Sequence, residues 1–278
     1  SLAPQLIGRN LDEFEDDLGL AARLLMHDSQ IRWLGPEKGV VHLAAAALIN
    51  AIWDALAKRA GKPLWRYVAD LTPEQFVSAV DFRHITNFLT RDEALAMLQA
   101  NEATKADRIE TLLAEGYPAY TTAAGWIGYT DEAIKDKLNA AYADGWRHFK
   151  IKVGRDIEED KRRCALVREV LGDDVRLSVD ANQVWEVDDA IAAIKAIAPY
   201  NIHWVEEPTS PDDIIGHKEI ADAVAPVKLA TGEHAHNRIM FKQLLQAEAI
   251  GFCQIDSCRV AGVNENLAII LMANKAGI

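Results

Sequence analysis

From about residue 119 onward the chain alternates between short apolar runs and amphipathic stretches. The runs fall near 119–123, 147–152, 175–180, 202–206, 227–232 and 252–256, a length suited to strands. The stretches between and after them, near 131–144, 157–171, 187–198, 212–223, 237–247 and 263–275, keep helical spacing. Several runs are unbroken, as strands covered on both faces are. This alternation predicts an α/β fold with a parallel sheet. The first 115 residues read differently. His42 to Lys58 is a strong amphipathic helix through Leu43, Ala46, Ala47, Ile49, Trp53, Leu56 and Ala57, with Gly61 and Pro63 as its stop. A second helical stretch spans about 91–115, with Leu95, Leu98, Ile109, Leu112 and Leu113 on its apolar positions. Between the two, Phe76 to Phe82 alternates and predicts a strand. Residues 1–40 are mixed and acidic and predict a short helical start on a solvated face.

Five motifs close five consecutive apolar runs: Lys150-Ile151-Lys152, Asp180-Ala181-Asn182, Glu206-Glu207-Pro208, Gly232-Glu233-His234 and Gln254-Ile255-Asp256. They recur about every 23 to 28 residues, the length of a parallel strand with its return helix and loops. Polar residues at every strand end favour a barrel, whose C-terminal strand ends converge on one site. No glycine-rich phosphate loop follows any strand, so a nucleotide fold has no local support.

Composition narrows the setting. Half of the 278 residues are hydrophobic and the net charge is −12, with 42 acidic against 30 basic residues. Nucleic acid and anionic membrane surfaces need a basic footprint, so neither is expected as a partner. The three cysteines, Cys164, Cys253 and Cys258, suggest neither a disulfide framework nor a zinc site, and a reducing cytoplasm fits them best. No unbroken apolar run approaches 18 residues, and no membrane span or signal peptide is expected.

The chemistry follows from the strand ends. Asp180, Glu206 and Glu233 offer three hard oxygen donors without a matching Cys or His set, which suits Mg²⁺. Glu207 should leave the pleat on the other side from Glu206, so the first Glu of the pair is the expected ligand. Lys150 and Lys152 stand two apart and share a face. One can serve as a base beside the metal and the other as a fixed charge for a substrate carboxylate. A metal and a lysine base suit removal of a proton next to a carboxylate, giving an enediolate that positive charge stabilises; this pairing is a known feature of enolase-type sites. Asp256 has no evident metal role, but such an acid can orient a catalytic imidazole. His234 and His236 form an HxH pair that lacks the further ligands a zinc hydrolase needs, and His234 reads as a pocket-wall residue.

The order K-x-K, D-x-N, E-E-P, G-E and I-D resembles the mandelate-racemase-like branch of the enolase superfamily. The longer runs Trp33 to Ala44, Pro118 to Thr122, Glu206 to Asp213 and Asn237 to Asn266 resemble the L-fuconate dehydratases within it. The resemblance implies a TIM-type (β/α) barrel with an N-terminal α+β capping domain. Residues 1–115 would be a partial, mostly helical cap and 116–278 the first six βα units. It implies a hydro-lyase of carbohydrate catabolism, dependent on Mg²⁺, that converts the acid sugar L-fuconate to 2-keto-3-deoxy-L-fuconate. Lys152 would then take the C2 proton, Lys150 would hold the substrate carboxylate, and Asp180, Glu206 and Glu233 would bind the metal. Asp256 would pair with a catalytic His. Ser78 falls where the family contacts substrate, with a buried strand serine as the alternative.

Six units fall short of an eight-stranded barrel, which usually needs about 250 residues. The opening strands of the cap would precede Ser1, and the catalytic His with its strand would follow Ile278. A chain of this extent is expected to bind Mg²⁺ poorly and turn over little by itself. Two other readings stay open: another acid-sugar dehydratase or racemase on the same scaffold, and a truncated, non-catalytic protein that acts through interaction. Large barrels often pair through their helical faces, so a homo-oligomer is compatible with either enzyme reading.

Overall fold

The computed structural model describes residues 2–278. Its helices are α1 (Leu11–Asp16), α2 (Leu20–Met26), α3 (Ser29–Leu34), α4 (Gly39–Arg59), α5 (Leu64–Ala69), α6 (Pro73–Ser78), α7 (Arg91–Asn101), α8 (Lys105–Glu115), α9 (Asp131–Ala143), α10 (Ile157–Leu171), α11 (Val187–Ile197), α12 (Ile214–Val224), α13 (Arg238–Gln246) and α14 (Val263–Ala276). Its strands are β1 (His148–Lys152), β2 (Arg176–Asp180), β3 (Ile202–Glu206), β4 (Lys228–Thr231) and β5 (Phe252–Cys253). Two compact units result. One comprises residues 2–113, 233–246 and 255–278; the other comprises 114–232 and 247–254.

The second unit holds the sheet. All its strand pairs are parallel and the order is β1-β2-β3-β4-β5. Consecutive order is that of a barrel wall, whereas a doubly wound sheet reverses direction at a switch point. Phe149, Ile151, Leu177, Val179, Val205 and Leu229 fill the sheet side of the core, and Ile134, Leu138, Cys164, Val167, Ile194 and Ile220 fill it from the helices. The helices start where the sequence can cap them. Thr130 and Asp156 each accept a backbone N–H from the first turn of α9 and α10.

The two outer strands are shorter than the apolar runs predict. Residues 119–123 form no strand; Thr121 alone bridges Phe149, through bonds to His148 O and from Lys150 N. The predicted 252–256 strand stops at Cys253. Each of these segments has a ladder partner on one side only among the described residues, so pairing supplies half the bonds that an inner strand receives.

In the first unit, α4 buries a continuous stripe: His42, Ala45, Ala46, Ile49, Trp53, Leu56 and Ala57. By length and average composition α4 could cross a membrane, its many alanines raising the average. Here that stripe packs against α1, α2, α5 and α14. Buried polar groups tie the unit together. The Trp53 indole N–H donates to Asn264 Oδ1 at 2.8 Å, while Asn264 Nδ2 donates to the carbonyls of Leu18 and Ala79, each at 2.8 Å. Arg238 lies between Glu265 and Asp81, 2.9 Å from each carboxylate.

Two predicted elements differ here. Phe76 to Phe82 is not a strand. Thr72, Pro73 and Gln75 start α6 with a capping box, in which Thr72 Oγ1 accepts from Gln75 N and Gln75 Oε1 accepts from Thr72 N. That local start signal outweighs the alternation that follows it. The 91–115 stretch is two helices, α7 and α8, separated by a 3₁₀ turn at Glu102–Thr104. Asn101 and Thr104, both weak helix formers, flank the break.

Four imidazoles are held neutral mainly by burial, with pKa values below the ordinary 6.5: His42, His148, His203 and His217. His148 is brought down to about 4. As pH falls, the unfolded chain takes up protons first, so the stability these groups contribute is complete above about pH 6.5 and is lost towards the folded values. Urea unfolding at pH 7.5, 6 and 5 should show a falling midpoint; one that stays level over that range contradicts the assignment.

Candidate active site

Strand register builds the site. Lys152 pairs with Asp180 across β1 and β2, and Asp180 pairs with Glu206 across β2 and β3. Alternation puts Lys150 on the same face as Lys152. Lys152 Nζ lies 2.5 Å from Asp180 Oδ2. Lys150 Nζ lies 3.4 Å from the same oxygen and 2.6 Å from Glu206 Oε1. Two ammonium groups therefore share two carboxylates.

Their exposures differ in a way that matters. The Asp180 and Glu206 side chains are 1% and 0% exposed, Lys150 6% and Lys152 22%. Burial works against the Lys150 ammonium, but the hydrogen bond and charge of Glu206, with Tyr120 and Asp180 adding to them, raise its pKa above the ordinary lysine value. Burial pushes the Glu206 carboxyl up; Lys150 opposes this and the charge of Asp180 adds to it, and the net shift is upward. Lys150 is a sealed, permanent cation, and Lys152 is the amine that solvent and small molecules can reach.

The backbone ladder runs on past the strands. Val153 N donates to Asp180 O, Ala181 N to Glu206 O and Glu207 N to Ala230 O, at 2.9, 3.0 and 2.9 Å. Glu207 then turns left-handed, with φ +44°, and its carboxylate accepts from Gln183 Nε2 at 2.9 Å. This turn and its separate partner set Glu207 apart from Glu206, which alone of the pair meets Lys150. Gly125 approaches β1 from the other side, donating nothing to it but accepting from Lys152 N at 2.8 Å. A Cβ there would overlap the Lys150 carbonyl oxygen and come within 2.9 Å of Ile151 Cα. The buried Arg163 guanidinium gathers the carbonyls of Lys152, Gly125 and Trp126.

Several contributors carry no motif and sequence reasoning missed them. The Tyr120 ring lies 4.7 Å from Lys150 Nζ and the half-exposed Trp126 ring 5.8 Å from Lys152 Nζ, both in cation–π range. Trp204 donates to Glu206 Oε2 at 3.2 Å, and Gln254 also bonds that carboxylate. Position was the available signal for Trp204, since it stands two before Glu206 on one strand and so shares its face. His148, which looks unremarkable in the sequence, bonds Ser178 Oγ at 2.8 Å and packs edge-on against His203 and Trp204.

The other expected site residues lie in the first unit. Glu233 follows β4 by two residues; its carboxylate is 3.6 Å from His234 Nδ1 and its carbonyl accepts from Arg259. Asp256 lies in the turn after β5, where Oδ1 accepts from Cys258 N at 2.8 Å. Ser78 ends α6, and its hydroxyl donates to the Gln75 carbonyl at 2.7 Å.

The donor set fits a hard divalent cation. Asp180 and Glu206 are buried, adjacent and all-oxygen, and the raised Glu206 pKa marks a place where further positive charge would stabilise the anion. Residues 133–278 match the family described as enolase C-terminal domain-like. The chain belongs to this family, within the enolase superfamily. It is 53% identical over 282 residues to L-galactonate dehydratase of Hypocrea jecorina, covering 100% of this chain and 63% of that protein. It superposes on the crystal structure of human mitochondrial enolase superfamily member 1 with a TM-score of 0.96 and 48% identity, over 100% of this chain and 63% of the human one. It also resembles L-talarate dehydratase from Polaromonas sp. JS666, solved with Mg and L-glucarate, with a TM-score of 0.71 and 25% identity, over 100% of this chain and 64% of that one. The chain thus spans somewhat under two thirds of the length of these relatives. The fold shared with these enolase-superfamily proteins is the barrel type that the alternating pattern predicts.

The close approach of Gly125 yields a prediction. Gly125→Ala should lower unfolding stability by about 2 kcal/mol, in the range for overpacking a tight contact, as read by urea denaturation. An unchanged midpoint would mean that the segment can move away freely.

Proposed function

We propose that this protein is a Mg²⁺-dependent acid-sugar dehydratase that removes water from L-fuconate to give 2-keto-3-deoxy-L-fuconate. The observation that carries this reading is the register of β1, β2 and β3, which joins an accessible lysine, a sealed lysine and two buried carboxylates. The 53% identity to an L-galactonate dehydratase supports the substrate class. L-Fuconate is the 6-deoxy form of L-galactonate and has the same configuration at every reacting carbon. The Mg and L-glucarate of the Polaromonas relative support the metal and an acid-sugar ligand.

In this reading Asp180 and Glu206 hold Mg²⁺, whose bound charge makes the C2 proton of a carboxylate substrate more acidic. The role of Glu233 as a third ligand follows from sequence order alone. Lys150, buried and permanently charged, pairs with the substrate carboxylate. Lys152 accepts the C2 proton on its side-chain nitrogen. Loss of the C3 hydroxyl, with a proton supplied to it, leaves an enol that becomes the 2-keto-3-deoxy acid. Asp256 is assigned to orient the imidazole that supplies that proton.

The test is a panel of acid sugars with the full-length protein and Mg²⁺, read as 2-keto acid formed. L-Fuconate and L-galactonate should be dehydrated well ahead of L-talarate and galactarate. Lys152→Ala should lose at least about 10³-fold in kcat and stop exchange of the C2 proton with deuterated solvent. Preference for the diacids, or exchange that survives Lys152→Ala, contradicts the reading.

A further inference from the structure

We infer that Trp204 is a positioning residue that fixes the Glu206 carboxylate for cation binding. The inference rests on the metal reading above and assigns a role to a residue outside the ligand set. Glu206 has two oxygens with separate partners. Oε1 faces the Lys150 ammonium at 2.6 Å and Oε2 accepts the indole N–H at 3.2 Å. Oε1 is held by an amine at the end of a long side chain and Gln254 also bonds the carboxylate, whereas the indole N–H comes from a ring with few torsions and so fixes Oε2 most firmly.

Trp204 is well suited to be rigid. It is 8% exposed and sits among the rings of Tyr120, His148, His203 and Phe252, with centroids 5.7, 4.6, 5.3 and 4.9 Å away. His148 is itself fixed by Ser178 on the strand between. Trp204 and Glu206 share one strand face, so the donor comes from the same rigid element as the acceptor. A buried indole N–H needs an acceptor, and a buried carboxylate needs donors; this pair satisfies both. Partners of this kind orient metal ligands, and their loss typically weakens metal binding 10- to 100-fold.

Two changes at Trp204 separate the N–H from the ring. Trp204→Phe removes the donor and part of the bulk. Replacement of Trp204 by 3-benzothienylalanine keeps the bicyclic ring and exchanges only the N–H for sulfur. Mg²⁺ affinity is read by calorimetry, and the metal-free melting temperature reports packing. Both substitutions should weaken Mg²⁺ binding about 10-fold or more, and the benzothienyl protein should melt within about two degrees of wild type. Weakened binding in Trp204→Phe alone would make Trp204 a packing residue and overturn the inference. Wild-type affinity in both would overturn it as well, while leaving the metal reading intact. A wild-type protein that binds no Mg²⁺ removes the metal reading, and this inference with it.

Discussion

The contact between the Lys150 ammonium and the carboxylates of Asp180 and Glu206 is the constraint on which the rest of the site depends. Three charged groups lie in the wall of the sheet, almost without solvent. Any one of them unpaired would carry a desolvation cost of several kcal/mol, and the Lys150 ammonium between the two carboxylates is what offsets it. Parallel register makes the arrangement. A slip of one residue in β2 would send Asp180 to the opposite face and leave both lysines without it. The apolar core of Phe149, Ile151, Val179 and Val205 therefore does more than supply burial energy, because the same alternation that places it inside also aims the charged ends.

The two lysines show how one strand yields two chemical environments. They are the same residue type, two positions apart, with one carboxylate oxygen in common. Lys150 has a second carboxylate and no solvent, and is locked as a cation. Lys152 stands at the strand end beside the half-exposed Trp126, where its amine can meet a substrate. The Gly125 contact and the Arg163 guanidinium behind it hold the neighbouring segment in place. Specificity of this kind comes from depth in the sheet, set by backbone position rather than by residue identity.

Much of this was legible in the sequence, for physical reasons that differ by element. The helix at Ile157–Leu171 reads directly because Asp156 caps it and its apolar positions keep one phase. The inner strands read as unbroken apolar runs because both of their faces are covered. Phe76 to Phe82 was misleading because alternation is a weaker signal than the capping box before it. The outer strands lost length because pairing, not composition, sets where a strand stops. The charged residues of the site were visible as polar ends to apolar runs. Trp204, Tyr120 and Arg163 were not, since an aromatic residue in or beside a strand and an arginine in a helix look like ordinary structure until folding brings them to Glu206, to Lys150 and to the Lys152 carbonyl in turn. Partly buried histidines such as His148 carry no sequence mark either, because their neutrality comes from surroundings assembled only on folding.

The central claim is that Asp180 and Glu206 form a cation site. Isothermal titration of Mg²⁺ into the protein, beside Asp180→Asn, tests it most directly. Sub-millimolar binding by the full-length protein that disappears in its Asp180→Asn variant is the result the account predicts. Binding that is absent in both, or equal in both, would contradict it and leave the lysine–carboxylate cluster as a structural salt bridge.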